Sequence, residues 1–117
     1  MRVTNAPASR ERRRRRLKLA KGFYGARSKL FRTATEAVDR AMRLSTEHRK
    51  LKKRDFRQLW IARINAASRA EGVSYSKLMA GLIKAGVTLN RKSLSEIAIR
   101  DSEGFKTIVG IAKDANA

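Results

Sequence analysis

The chain has 117 residues, enough for one small domain or for a small domain with an arm. Its 29 Lys and Arg outnumber 10 Asp and Glu, leaving a net charge of +19 and a sequence pI near 11.6; a compact domain so charged repels itself and expects a polyanion as a standing partner. The absence of cysteine excludes disulfides, thiolate catalysis and cysteine-ligated zinc, and no stretch approaches the roughly 18 consecutive apolar residues of a membrane span.

The charge is uneven. Residues 1–57 hold 20 Lys/Arg and 5 Asp/Glu, a net of +15, whereas residues 58–117 hold 9 and 5, a net of +4. This predicts a basic arm over 1–57 and an ordinary small domain over 58–117. Such an arm gains little from apolar burial and loses chain entropy on ordering, so it is expected to be loose when free and ordered when bound. The N-terminus lacks the apolar segment of a secretory signal, and the basic character runs on to Arg57, far past a removable leader.

In chain order, residues 1–9 contain the only proline, Pro7, and read as an irregular tail. Ser9 is a candidate cap for a first helix over 10–21, polar on nearly every face, which therefore needs solvent or a charged surrounding. Gly22 and Gly25 bracket Phe23 and Tyr24 and predict a turn. From Ala26 to Glu71 there is neither proline nor glycine, 46 residues that predict one very long helix. Leu30, Ala34, Ala37, Ala41 and Leu44 hint at an apolar stripe, but charge on every face at 49–54 denies it a sustained heptad seam.

Apolar character returns with Phe56, Trp60, Ile64 and Ala67 at i, i+4, i+8 and i+11, where the globular part is expected to begin. Gly72 ends the long helix. Ser74 or Ser76 caps a helix presenting Leu78, Leu82 and Ile83, with Gly86 at its C′ position; Asn90 caps one presenting Leu94, Ile97 and Ala98; Asp101 caps one presenting Phe105, Ile108, Val109 and Ala112. No strand alternation is present. The fold class is all-α: a basic N-terminal arm of a short helix and a very long helix, leading into a small C-terminal helical domain.

The chemistry these residues offer is nucleic-acid binding. The run Arg12, Arg13, Arg14, Arg15 and Arg16 supplies guanidinium forks for phosphate oxygens, or else a localisation-type address. Lys18, Lys21, Arg27, Lys29 and Arg32 extend it around the turn. There, Phe23 and Tyr24 either stack on splayed bases or staple the two arm helices together. Arg49, Lys50, Lys52, Lys53 and Arg54 cover all faces of a helix, as suits a rod with RNA on several sides. Arg57, Arg63, Asn65 and Arg69 are candidates for an RNA-facing stripe, with Lys77, Arg91 and Lys92 further along. Trp60 is read as a core anchor in preference to a base-stacking residue. His48 is the only histidine and the carboxylates are scattered, so no catalytic set, metal site or cofactor is expected.

These residues carry a resemblance. Arg12–Arg16, then Lys21-Gly22-Phe23-Tyr24-Gly25, then the uninterrupted stretch from Lys53 through Arg54, Phe56, Trp60 and Ile64 to Ala67, and downstream Tyr75, Gly81-Leu82, Ala85-Gly86-Val87 and Leu89-Asn90-Arg91-Lys92, resemble a bacterial-type ribosomal protein family of the large subunit, number twenty of the L series. The resemblance covers nearly the whole chain and is most specific from Arg54 to Ala67. Met1 to Ser9 departs from the usual, more basic start. The resemblance implies a two-helix arm threaded through large-subunit ribosomal RNA and a small helical domain on the RNA surface. It also implies early binding in subunit assembly, neighbouring ribosomal proteins as partners, a place in the cytoplasmic ribosome and, in some members, repression of the protein's own messenger. Two other classes compete. A DNA-packaging or transcription-type binder requires a dimer seam that 26–57 lacks, and an RNA-processing enzyme requires a catalytic set that is missing.

Overall fold

The structure, a computed structural model, describes residues 4–117; Met1–Val3 of the expected tail lie outside the described residues. The architecture is all-α: α1 (Ala6–Leu19), a 3₁₀ turn (Gly25–Ser28), α2 (Phe31–Ala70), α3 (Tyr75–Lys84), α4 (Arg91–Arg100) and α5 (Ser102–Asp114). The chain divides into two compact units between Lys50 and Leu51, and α2 contributes to both.

The first unit begins earlier than its sequence suggests. Helix α1 starts at Ala6, not near Arg10, so Pro7 belongs to the first turn and Ser9 lies inside the helix instead of capping it. Proline is tolerated there because an N–H in the first turn has no intrahelical acceptor and its φ is already helical. The helix stops at Leu19, two residues short of the expected end, with Ala20 as the C-cap. Gly22 and Gly25 adopt φ of 87° and 60° in the turn that follows.

Helix α2 starts at Phe31, not at Ala26. The Ser28 hydroxyl donates to the Gly25 carbonyl (3.0 Å) and the Lys29 N–H to the Ala26 carbonyl (3.1 Å), which hold Gly25–Ser28 in a 3₁₀ turn. Local bonds of this kind compete with the α-helical ladder. A small cluster of Ala20, Ala34 and Val38 is buried, with Leu17 and Phe23 packed on it. Of the stripe hinted at by the sequence only Ala34 is fully buried; Leu30 and Leu44 are exposed.

In the second unit, the C-terminal part of α2 and the three short helices enclose one core of Ile64, Val73, Leu78, Leu82, Leu94, Phe105, Val109 and Ala112. Helix α2 ends in a Schellman motif: the Gly72 N–H donates to the Arg69 carbonyl (3.0 Å) and the Val73 N–H to the Ser68 carbonyl (2.9 Å). Gly72 has φ of 75°, a conformation any Cβ disfavours. Gly86 closes α3 with the same pair of bonds, to Ile83 and Leu82. Asn90 caps α4 by accepting from the Ser93 N–H, and Asp101 caps α5 by accepting from the Gly104 N–H, each at 2.8 Å.

Two sequence expectations fail here. Trp60 is not a core anchor: the core begins one turn later, at Ile64, and Phe56 is exposed. Ile83 is exposed as well, because it follows the buried Leu82 by one residue and so points about 100° around the helix from it.

Candidate nucleic-acid interface

In the first unit Arg12, Arg13, Arg14 and Arg15 are exposed on α1. Successive residues step about 100° around a helix, so these four guanidinium groups ring it instead of forming one face. Arg15 pairs with Glu11 (3.2 Å). Arg16, half-buried, pairs with Asp39 of α2 and thereby ties the two helices together. Lys18 and Lys21 are exposed, as are Arg27 in the 3₁₀ turn, Lys29 after it and Arg32 in the first turn of α2.

The two aromatics of the turn separate. Phe23 is half-buried against Ala20, Ala34 and Val38 and staples the helices. Tyr24, at 95% exposure, packs on nothing and has both ring faces in solvent.

Arg49 and Lys50 are exposed at the end of this unit, and the Arg49 guanidinium donates to the Ser45 hydroxyl (2.7 Å) and the Thr46 hydroxyl (3.2 Å).

In the second unit Lys52, Lys53, Arg54, Arg57 and Arg63 are exposed along α2. Among the described residues none of these five takes part in an ion pair, so their charge stays available to an outside anion. Asn65 and Arg69 lie one turn apart and are joined, the Arg69 Nε donating to the Asn65 Oδ1 (3.1 Å). Arg57 and Arg63 do not line up with them: the helical step puts those two roughly 120° apart. Lys77 and Lys92 are exposed, whereas Arg91 is half-buried and held by Tyr75, whose hydroxyl accepts from its Nε at 2.8 Å. That bond leaves the terminal Nη fork free for a bidentate contact.

The Tyr75–Arg91 pairing had no signal in the sequence, since the two residues are 16 apart. The Phe56–Trp60 pair was also missed as a surface feature: its periodic spacing pointed to a core, and only the endpoint of the core shows otherwise. The rings are 6.3 Å apart between centroids.

The arrangement is that of a polyanion binder. Most of its exposed cations lie on α1 and α2. Glu103 holds Lys106 of α5 by a hydrogen bond and by its charge, and raises its pKa above the usual lysine value. Among the described residues no three His, Asp or Glu side chains converge as metal ligands, and no helix is long and apolar enough to cross a membrane.

Comparison with known proteins decides the family. The profile described as ribosomal protein L20 matches residues 2–108. The chain belongs to the ribosomal protein L20 family. It is 59% identical over 112 residues to the large ribosomal subunit protein bL20 of Geobacter metallireducens, covering 96% of both chains. It is 58% identical over 112 residues to the protein of the same name from Clostridium botulinum strain Hall, covering 96% of this chain and 94% of the relative. Ribosomal protein L20 family members are structural proteins, not enzymes, which accords with a surface built from cations and aromatics.

Proposed function

We propose that this chain is a structural constituent of the large ribosomal subunit that binds large-subunit ribosomal RNA directly and supports subunit assembly. The observation that carries this reading is the density of exposed cations without carboxylate partners on α2, together with membership of the L20 family. Each Lys or Arg that meets a phosphate releases condensed counterion, and a helix charged on every face suits a site surrounded by RNA.

In this reading residues 1–57 act as the RNA-penetrating arm and supply most of the affinity. Arg12–Arg16, Lys18, Lys21, Arg27, Lys29, Arg32, Arg49, Lys50 and Lys52–Arg54 contact phosphates, and Tyr24 stacks on a splayed base while Phe23 sets the turn that presents it. Residues 58–117 supply shape-specific docking through Arg63, Asn65, Arg69, Arg91 and Lys92, with Arg57 at the junction. The partners are ribosomal RNA and neighbouring ribosomal proteins in a bacterial-type cytoplasmic ribosome. The protein's own messenger is a second RNA target, as the family resemblance implies.

The test is binding of the full chain to large-subunit ribosomal RNA and to random duplex across a salt series. Preference for the ribosomal RNA that persists at moderate salt supports the reading, and equal binding to both polymers defeats it.

A further inference from the structure

The apolar stripe of α2 does not stop where the core stops. Ile64 is the first α2 residue in the core of the second unit, yet Trp60 and Phe56 continue the stripe one and two turns earlier, half-buried and 44% exposed respectively. Their rings lie side by side with planes tilted by 43°. The Lys52 ammonium stands 5.8 Å from the Phe56 centroid, over one face of the ring. By the helical step Lys52, Lys53, Leu59 and Arg63 fall within roughly 60° of Phe56, while Asp55, the one carboxylate between residues 51 and 70, falls roughly 100° away.

Large aromatic area left in water marks a surface awaiting a partner. The frame around it selects the partner's chemistry. Protein–protein interface cores are depleted in Lys, whereas here the charged side chains within that arc are all cations. A partner that brings both negative charge and flat apolar faces is a nucleic acid with unpaired bases.

We infer that Phe56 and Trp60 form a stacking platform for an unpaired nucleobase of the bound RNA, with Lys52 as the anchor for that nucleotide's phosphate. In the free protein the Lys52 ammonium occupies the Phe56 face as a cation–π partner. The base takes that face, and Lys52 swings to the phosphate. The tilt prevents both rings from lying flat on one base, so Phe56 stacks and Trp60 walls the edge. Because every base has a π-face, the platform holds a splayed nucleotide without reading its identity. The inference rests on the RNA-binding reading above and deepens it.

Trp60 is the only tryptophan, so its fluorescence reports this site alone. The full-length protein is titrated with a short oligoadenylate and, at matched phosphate concentration, with inorganic polyphosphate. The oligoadenylate is expected to quench Trp60, and the polyphosphate to leave it largely unchanged. Phe56→Leu keeps the apolar bulk but removes the π-face; it is expected to weaken oligoadenylate binding about five- to hundredfold, with the salt dependence unaltered because every phosphate-facing cation is kept. Phe56→Tyr restores binding, and an unchanged circular-dichroism spectrum shows that the variants fold. No quenching by oligoadenylate, equal quenching by polyphosphate, or parental affinity in Phe56→Leu overturns the inference.

Large-subunit ribosomal RNA separates the two readings. If the parent protein does not prefer that RNA to random duplex, the ribosomal reading fails whatever Phe56 does. If it does and Phe56→Leu binds the RNA as tightly, the platform alone fails. If the variant binds the RNA normally but is lost from particles containing neighbouring ribosomal proteins, the face docks a protein and the platform is likewise overturned.

Discussion

Gly81 of α3 packs directly on the backbone of Ala112 in α5: a Cβ at Gly81 would overlap the Ala112 carbonyl oxygen and crowd the Asn116 side-chain nitrogen. That nitrogen bridges the two helices, donating to the carbonyls of Lys77 and Ala112 at 2.9 Å each. The close approach of α3 and α5 therefore depends on the missing side chain.

Gly81→Ala should destabilise the protein by about 1–3 kcal/mol, the usual cost of overpacking against atoms that cannot retreat. Gly110→Ala should act in the opposite sense. Nothing lies within 4 Å of a Cβ there, and alanine favours a helix interior by up to about 1 kcal/mol over glycine. Urea unfolding of the two variants against the parent checks both signs at once.

Removing the cap of α5 by Asp101→Ala should cost about 1 kcal/mol, because the Gly104 N–H loses its acceptor. Asp101→Asn keeps an acceptor oxygen and should recover most of that loss. Thermal unfolding followed by circular dichroism distinguishes the two.

The position at which the core begins predicts a sharp contrast along α2. Ile64 is fully buried, so Ile64→Ala should cost about 2–5 kcal/mol. Trp60→Leu, one turn earlier and outside the core cluster, should cost less than about 1 kcal/mol despite the larger side chain removed. A cost for Trp60→Leu as large as that for Ile64→Ala would show that the core extends further along the helix.

Lys53 and Arg54 are exposed and form no ion pair among the described residues. The double variant Lys53→Gln, Arg54→Gln should leave stability unchanged and lower the slope of log K against log salt for RNA binding by about 1.4–1.8, roughly 0.7–0.9 for each phosphate that is no longer neutralised. Filter binding over a salt series measures it. An unchanged slope would show that neither side chain meets a phosphate.

Much of this was legible without coordinates because it depends on local chemistry. Asn90 and Asp101 announce helix starts by residue type, Gly72 and Gly86 announce helix ends, and the i, i+3, i+4, i+7 spacing of Phe105, Ile108, Val109 and Ala112 announces a buried face. The cationic surface was equally plain, since an uncompensated charge of +19 does not depend on how the chain folds. Where local signals compete the reading slipped: Pro7 and Ser9 looked like a tail and a cap, but proline fits a first helical turn, and Ala26–Leu30 looked helical until the Ser28–Gly25 bond drew the chain into a 3₁₀ turn.

The sequence by itself determined the all-α class, the caps of the last two helices, the basic character of the first half and the family, because propensity, periodicity and charge are properties of neighbouring residues. The tertiary structure alone decided which apolar residues are covered. Trp60 and Ile64 have the same periodicity on the same helix, but only Ile64 has other helices packed over it. It likewise decided that Phe23 turns inward while Tyr24 faces solvent, and that Tyr75 holds Arg91. Burial and side-chain pairing depend on what the rest of the chain brings into reach, and spacing along one helix does not contain that information.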